Sequence, residues 1–290
     1  MSISQHHQKQ IQVLKERYER LRKGKDSLLC LIDEAELSEN VYNSNAIENS
    51  TLTLKETEKI LLEMEVSRNV SLREVFEAKN LARVVEYIRE KSARADLNTD
   101  LILLLHKMLI STIDDFIAGR FRQEGEFVRV GTYIAPPPEK VEQMIENAII
   151  VYNSSFDQYF LERIARFHLE FEHIHPFLDG NGRIGRVLMN YELQRLGFPS
   201  VIIRNKGKNE YYQAFLEYDD KKSTKKMENI LVLALMESLH KRLAYLEGMK
   251  IIRVTEYAKQ VGKSMPTLLN AARRQTIPAF REKGVWKIGI

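Results

Sequence analysis

The chain has 290 residues, 44% of them hydrophobic and 29% charged, with a net charge of +4 at pH 7. That is ordinary globular composition, long enough for a sizeable core and two domains. No stretch approaches the roughly 18 apolar residues of a membrane span, and a single cysteine, Cys30, excludes an internal disulfide framework.

The polar start (Ser2, Gln5, His6, His7, Gln8, Lys9) does not read as a secretory leader, and the lone thiol fits a reducing compartment, so a cytoplasmic location and no membrane partner are expected. Apolar residues then recur at helical spacing from Ile11 to Leu21 and from Leu28 to Ile32, with a break near Gly24. This predicts a helix pair or one long broken helix. Thr53-Leu-Lys-Glu56 is a capping box opening a helix to about Glu65, and Ser71-Leu-Arg-Glu74 repeats the device for a helix to about Lys91. Another helix starts at Thr99 and contains Leu101–Ile110. Between 111 and 138 the period changes: Phe127, Arg129 and Gly131 alternate with Val128, Val130 and Thr132, the mark of a short hairpin spanning Val128 to Ile134. Pro136-Pro137-Pro138 stops it. Helices follow over 139–152, 157–174, 183–196, 209–218 and 225–247, the last closed by Gly248.

Charge is uneven along this chain. Residues 249–290 hold nine Lys/Arg against two Asp/Glu, +7, which leaves −3 for residues 1–248. In the basic part a helix from Val254 turns at Gly262, a second runs from Ser264 to Arg274, and 277–288 reads as a hairpin turning at Lys283-Gly284. Ser264 is the N-cap of the second helix, with Pro266 in its first turn.

The chemistry concentrates in His175-Pro-Phe-Leu-Asp-Gly-Asn-Gly-Arg-Ile-Gly-Arg186. Pro176 ends the preceding helix and a helical pattern resumes at Arg183, so a loop delivers the chain to a helix N-terminus, where free N–H groups favour an anion. Gly180 and Gly182 allow the positive φ that turns N–H groups inward around a phosphate. Arg183 and Arg186, three apart, share a face and aim at one polyphosphate. Asp179 suits Mg²⁺ held between carboxylate and phosphates. His175 is the group nearby that can take a proton near neutral pH. These are the ingredients of a nucleotide site. No Walker A pattern is present, and His168 and His173 lie about 140° apart on a helix, so a zinc site with His175 is not expected. His106 and His240 read as core or surface residues.

The run resembles the signature of the Fic family, H-P-F-x-D/E-G-N-G-R-x-x-R, at every defined position, and Ala165, His168, Phe171 and Ile174 match the helix leading into it. The resemblance covers roughly residues 40–220. It implies a mostly α fold, a Fic-type helical bundle with a β-hairpin flap, with Arg122 in the family's G-x-x-R approach. It further implies transfer of AMP from ATP to a Ser, Thr or Tyr hydroxyl of a target protein. In that role His175 is the base, Asp179 binds Mg²⁺, and Gly180, Asn181, Gly182, Arg183 and Arg186 hold the nucleotide. The flap residues Val128, Val130 and Ile134 would dock an extended target segment by strand addition.

Ser44-Asn-Ala-Ile-Glu48-Asn49 resembles the family's inhibitory motif, S/T-x-x-x-E-G/N, in the subclass that carries it N-terminal to the core. Glu48 paired with Arg186 would occupy the guanidinium meant for the γ-phosphate; the bland alternative is an exposed helix end. The expected organisation is an N-terminal helical region over 1–95 with the inhibitory segment 44–49, a Fic catalytic core over 96–248, and a small winged helix over 249–290, of the excisionase-like kind. In that last module Lys263, Arg273, Arg274, Arg281, Lys283 and Lys287 would contact DNA phosphates. Self-modification and a homodimer are held open. Two alternatives to AMP transfer stand beside it: a DNA-binding regulator whose core senses nucleotide, and hydrolytic removal of AMP with Glu48 orienting water.

Overall fold

The computed structural model describes residues 3–66, 70–92, 96–131 and 133–290. Ser4 opens α1 (Gln5–Leu21), its hydroxyl accepting from His7 N at 3.3 Å. Gly24, at φ 73°, turns the chain back into α2 (Asp26–Ile47), so the broken stripe is a helix pair. The Thr53 box is reciprocal at α3 (Leu54–Glu58), which continues as a π-helical turn over Lys59–Glu63. The second box is not reciprocal. Ser71 caps α4 (Leu72–Lys91), but the Glu74 carboxylate accepts from Ser50 Oγ, Thr51 N and Thr51 Oγ1. A stronger set of donors, on the chain leaving α2, has taken it.

After α5 (Thr99–Ile110) the hairpin is shorter than its alternation: β1 (Arg129–Val130) pairs antiparallel with β2 (Tyr133–Ile134), and Ala135 N donates to Val128 O at 3.0 Å. Thr132 and residues 93–95, where the first domain boundary was expected, lie outside the described residues. The bundle is completed by α6 (Val141–Ser154), α7 (Phe160–Ile174), α8 (Asn181–Arg195), α9 (Lys208–Lys221) and α10 (Lys225–Leu246). Helix α8 packs against α4, α5 and α7, and it buries Arg183, Arg186, Asn190 and Glu192 along with its apolar residues. A central helix this polar must satisfy its groups internally. Among the described residues no helix is long and apolar enough to cross a membrane.

The C-terminal residues form β3 (Ile251–Arg253), α11 (Val254–Gln260), α12 (Met265–Arg273), β4 (Ala279–Glu282) and β5 (Val285–Gly289), in an antiparallel sheet of order β3-β5-β4. Lys283 and Gly284, at φ 49° and 76°, make the two-residue turn. Strand β3 was not anticipated; three residues pairing with Lys287–Gly289 leave almost no local period. Ile252, Val254, Ala258, Leu268, Ala272, Ala279 and Ile288 form a core separate from that of the bundle.

Candidate active site

Helix α7 ends at His175, whose left-handed conformation (φ 50°, ψ 62°) caps it, His175 N donating to Phe171 O at 2.9 Å. Pro176 then forces the chain away. The loop back into α8 is tied by Asn181, whose Oδ1 accepts from Phe177 N and whose Nδ2 donates to Phe177 O, both at 2.8 Å. Asn181 is 3% exposed, and its amide is engaged by the Phe177 backbone, so the side chain braces the loop. Gly180, at φ 83°, is the N-cap, and the N–H groups of the first turn of α8 are left for an anion. Gly182 is helical, not positive in φ. Its reason is steric: a Cβ there would stand 2.1 Å from Glu48 Oε1.

Two further residues fix the loop from outside. Arg122, 3% exposed, donates from Nε to His175 O (2.8 Å), from Nη1 to Glu126 O (3.0 Å) and from Nη2 to Pro136 O (2.9 Å) and Ile174 O (3.3 Å). It joins the imidazole's own backbone to the end of the hairpin. His106, fully buried in α5, stacks on Phe177 at 3.6 Å. Its Nδ1 accepts from Gly119 N at 3.0 Å, so Nε2 carries the hydrogen and donates to Asp179 O at 3.0 Å. The sequence offered one sign of this: His106 is a polar residue on the buried face of the apolar helix Leu101–Ile110.

The electrostatics follow from burial. Desolvation pushes the His175 imidazole down to about 4, so it is neutral at pH 7. His106 is pushed to about 4 by the same cause. Glu172, one turn before the loop, goes the other way: burial, then the charge of Glu48, raise its carboxyl to about 8. Sequence reading passed over Glu172, whose burial depends on contacts with Gly185, where a Cβ would stand 2.5 Å from Glu172 Oε1.

Arg183 and Arg186 meet different carboxylates. Arg186, 5% exposed, donates from Nε to Ser44 Oγ (3.0 Å) and from Nη2 to Ser44 O (2.8 Å), and Nη2 meets Glu48 Oε1 at 2.8 Å. Its Nη1 has no partner among the described residues. Arg183 turns to Asp179 Oδ1 (3.0 Å) and Glu77 Oε1 (3.3 Å). Asp179 Oδ1 also accepts from Gly180 N at 2.6 Å, and Oδ2 pairs with Arg73. Asn49, left-handed at φ 69°, closes α2 and accepts from Lys208 Nζ at 2.7 Å. The flap side chains Val130 and Ile134 are 41% and 67% exposed, and Val128 is half-buried. Between them Tyr133 stacks on His173, whose Nδ1 faces Asp219 Oδ1 at 2.7 Å. His168 Nε2 meets Tyr211 OH at 2.7 Å. Among the described residues no group of three or more His, Cys, Asp or Glu is gathered so as to hold a metal.

Of the C-terminal cations expected to meet DNA, Arg281 is half-buried against Glu237 of α10 and Lys287 pairs with Glu282 on the same hairpin. Lys283 pairs with Glu58 but stays exposed, as do Lys263, Arg273 and Arg274.

Fold and site together define a helical protein with a glycine-bearing loop at the N-terminus of helix α8 and a carboxylate, Glu48 at the end of α2, beside it. Residues 96–193 match the model of the Fic/DOC family. It is 34% identical over 180 residues to a protein adenylyltransferase Fic of Nematostella vectensis and 32% over 177 residues to one of Drosophila yakuba, in each case 60% of this chain. The chain spans 42% and 35% of the length of these two relatives. A Fic domain containing signaling protein from Bacteroides thetaiotaomicron superposes with a TM-score of 0.74 at 26% identity, covering 82% of this chain and 97% of that one. Fic-1 (residues 134–508) from C. elegans gives 0.69 at 25% identity, over 84% of this chain and 71% of its own.

Proposed function

We propose that the chain is a protein adenylyltransferase that moves AMP from ATP to a Ser, Thr or Tyr hydroxyl of a target protein, and that Glu48 holds it inhibited. The relatives named protein adenylyltransferase support the reaction class. The observation that carries the reading is a neutral, partly buried imidazole at the mouth of a helix N-terminus whose guanidinium, Arg186, is already held by a carboxylate.

In this reading His175 donates from Nδ1 toward Glu172 O, 3.4 Å away, which leaves Nε2 with the lone pair. Nε2 takes the proton of the attacking hydroxyl while its oxygen bonds to the α-phosphorus. The bond from the α-phosphorus to the bridging oxygen breaks, and pyrophosphate leaves with the electron pair. The first N–H groups of α8 hold the phosphates, Arg186 takes the γ-phosphate once Glu48 has left it, and Arg183 is beside the β-phosphate. Asp179 fits Mg²⁺, being a partly exposed carboxylate of the kind that shares the ion with phosphates, and Arg73, 58% exposed, must release it. The ion would neutralise phosphate charge there. Val128, Val130 and Ile134 on the hairpin would dock the target strand.

Residues 96–248 are then the catalytic core and 249–290 a winged-helix-like domain, whose remaining DNA face would be Lys263, Arg273 and Arg274. Cys30 as the lone thiol supports a cytoplasmic setting. The test uses ATP labelled at either end with the purified Glu48→Gly chain. Label from the α-phosphate should stay with protein and that from the γ-phosphate should not, and His175→Ala should lose the α-label. Retention of the γ-label would mean phosphoryl transfer and end the reading.

A further inference from the structure

The inhibitory segment is the end of α2, where Ser38, Glu39, Asn43, Ser44 and Asn45 are buried beside Val41, Ala46 and Ile47. Buried polar groups this numerous make the position of the helix depend on the partners that satisfy them. The partners of Glu39 are unexpected. Its Oε2 accepts from Lys283 N and its Oε1 from Gly284 N, each at 3.1 Å, so the β4–β5 turn sits on this carboxylate with both N–H groups. Arg204 pairs with Glu39 on one side and with Glu237 at 2.9 Å on the other. Arg281, two residues before the turn, closes the ring onto Glu237, with Nε at 3.0 Å and its backbone N at 3.1 Å. Glu39, Glu237 and Arg204 are 5%, 9% and 11% exposed.

We propose that the C-terminal module is the clamp of the inhibitory helix: its turn, through Glu39, holds α2 where Glu48 reaches Arg186. Glu39 lies five residues before Ser44, about 7.5 Å along a rigid helix, so a shift at Glu39 arrives at Ser44 almost undamped. Asn43 is seated by the same region, its Oδ1 accepting from Asn205 N at 3.0 Å, one residue beyond Arg204. The bundle has its own core, which does not include the module, so the module can move without unfolding the site. Undocking would strip Glu39 of two donors and Glu237 of the Arg281 fork, loosening α2 at its polar seat. The inference rests on the inhibitory role proposed for Glu48, and it adds what controls that role.

The experiment takes the full chain with Glu39→Gln, which weakens the acceptor under the turn, and separately Arg281→Met, which cuts the clamp from the module's side. Hydrogen exchange of the amides over 44–50 should speed up about tenfold in Glu39→Gln and by a smaller factor in Arg281→Met, with melting still cooperative. Incorporation of labelled AMP should rise severalfold in both, and neither should add to Glu48→Gly. Unchanged exchange in both variants overturns the clamp whatever Glu48 does. An equal gain in the Glu48→Gly background overturns it too, because the effect would then bypass the inhibitory contact. Faster exchange with no gain from Glu48→Gly itself identifies the other failure: the inhibitory reading falls, and with it the clamp's regulatory use.

Discussion

Replacing Asn181 with alanine separates two roles that the motif alone leaves joined. If the side chain braces the loop, its loss orphans Phe177 N and Phe177 O, both now paired at 2.8 Å with a residue 3% exposed, while Phe177 itself is fully buried. Each buried backbone group left unpaired costs about 1–3 kcal/mol, so Asn181→Ala should lose about 3 kcal/mol or more of folding stability with no nucleotide present. That is more than a hundredfold in the folding equilibrium and a large part of a typical total of about 5–15 kcal/mol. Asn181→Asp should lose nearly as much at pH 7, since its second oxygen would face Phe177 O. The assay is denaturant unfolding in nucleotide-free buffer, beside binding of a non-hydrolysable ATP analogue to the folded fraction. A stability loss below about 0.5 kcal/mol combined with a tenfold or greater loss of analogue affinity would refute the brace and return Asn181 to the phosphates.

Glu172 holds its proton in the folded chain to about pH 8 against 4.5 when exposed. The stability this gives is therefore fully present below about pH 4.5 and is lost as pH rises through 8. Glu172→Gln should flatten that slope in urea midpoints between pH 5 and 8, and an unchanged slope contradicts the burial argument. His175, pushed down to about 4, should leave AMP transfer level from pH 8 to 6 and place its acid limb below pH 5; a limb near 6.5 would contradict a desolvated neutral base. Arg122→Met should cost at least about 3 kcal/mol, because it leaves buried carbonyls without their charged donor, and Arg122→Lys should not restore it, since one ammonium cannot span His175 O and Pro136 O. Thermal melts of both variants check this, and a lysine variant as stable as the parent would refute the fork.

The loop was legible because its residues dictate their own path: Pro176 must leave the helix and Gly180 must take positive φ within the same short run. The reason for Gly182 was not legible, since the carboxylate that excludes a Cβ comes from Glu48, far away in sequence. The bracing contacts of Asn181 were not legible for a related reason: nothing in the run itself says that the amide meets the backbone of Phe177. The bundle helices announced themselves by period, whereas β3 has three residues and is defined by a partner strand some 35 positions on. Basic residues of the C-terminal part pointed to an external polyanion, and for Arg281 a carboxylate of the bundle, Glu237, supplies the charge from within the chain.

The central claim is that Glu48 and the γ-phosphate compete for Arg186. The 2.8 Å contact is charge-assisted but Glu48 is 36% exposed, so about 1.5 kcal/mol is a fair value, near a tenfold effect. The direct measurement is incorporation of α-labelled AMP into the purified chain at fixed Mg²⁺ and ATP, for the parent, Glu48→Gly and Glu48→Gly/Arg186→Ala. The account predicts at least a tenfold rise in the single variant and a return to parent level or below in the double, which has lost the γ-phosphate's ligand. Equal incorporation by the parent and Glu48→Gly would contradict it.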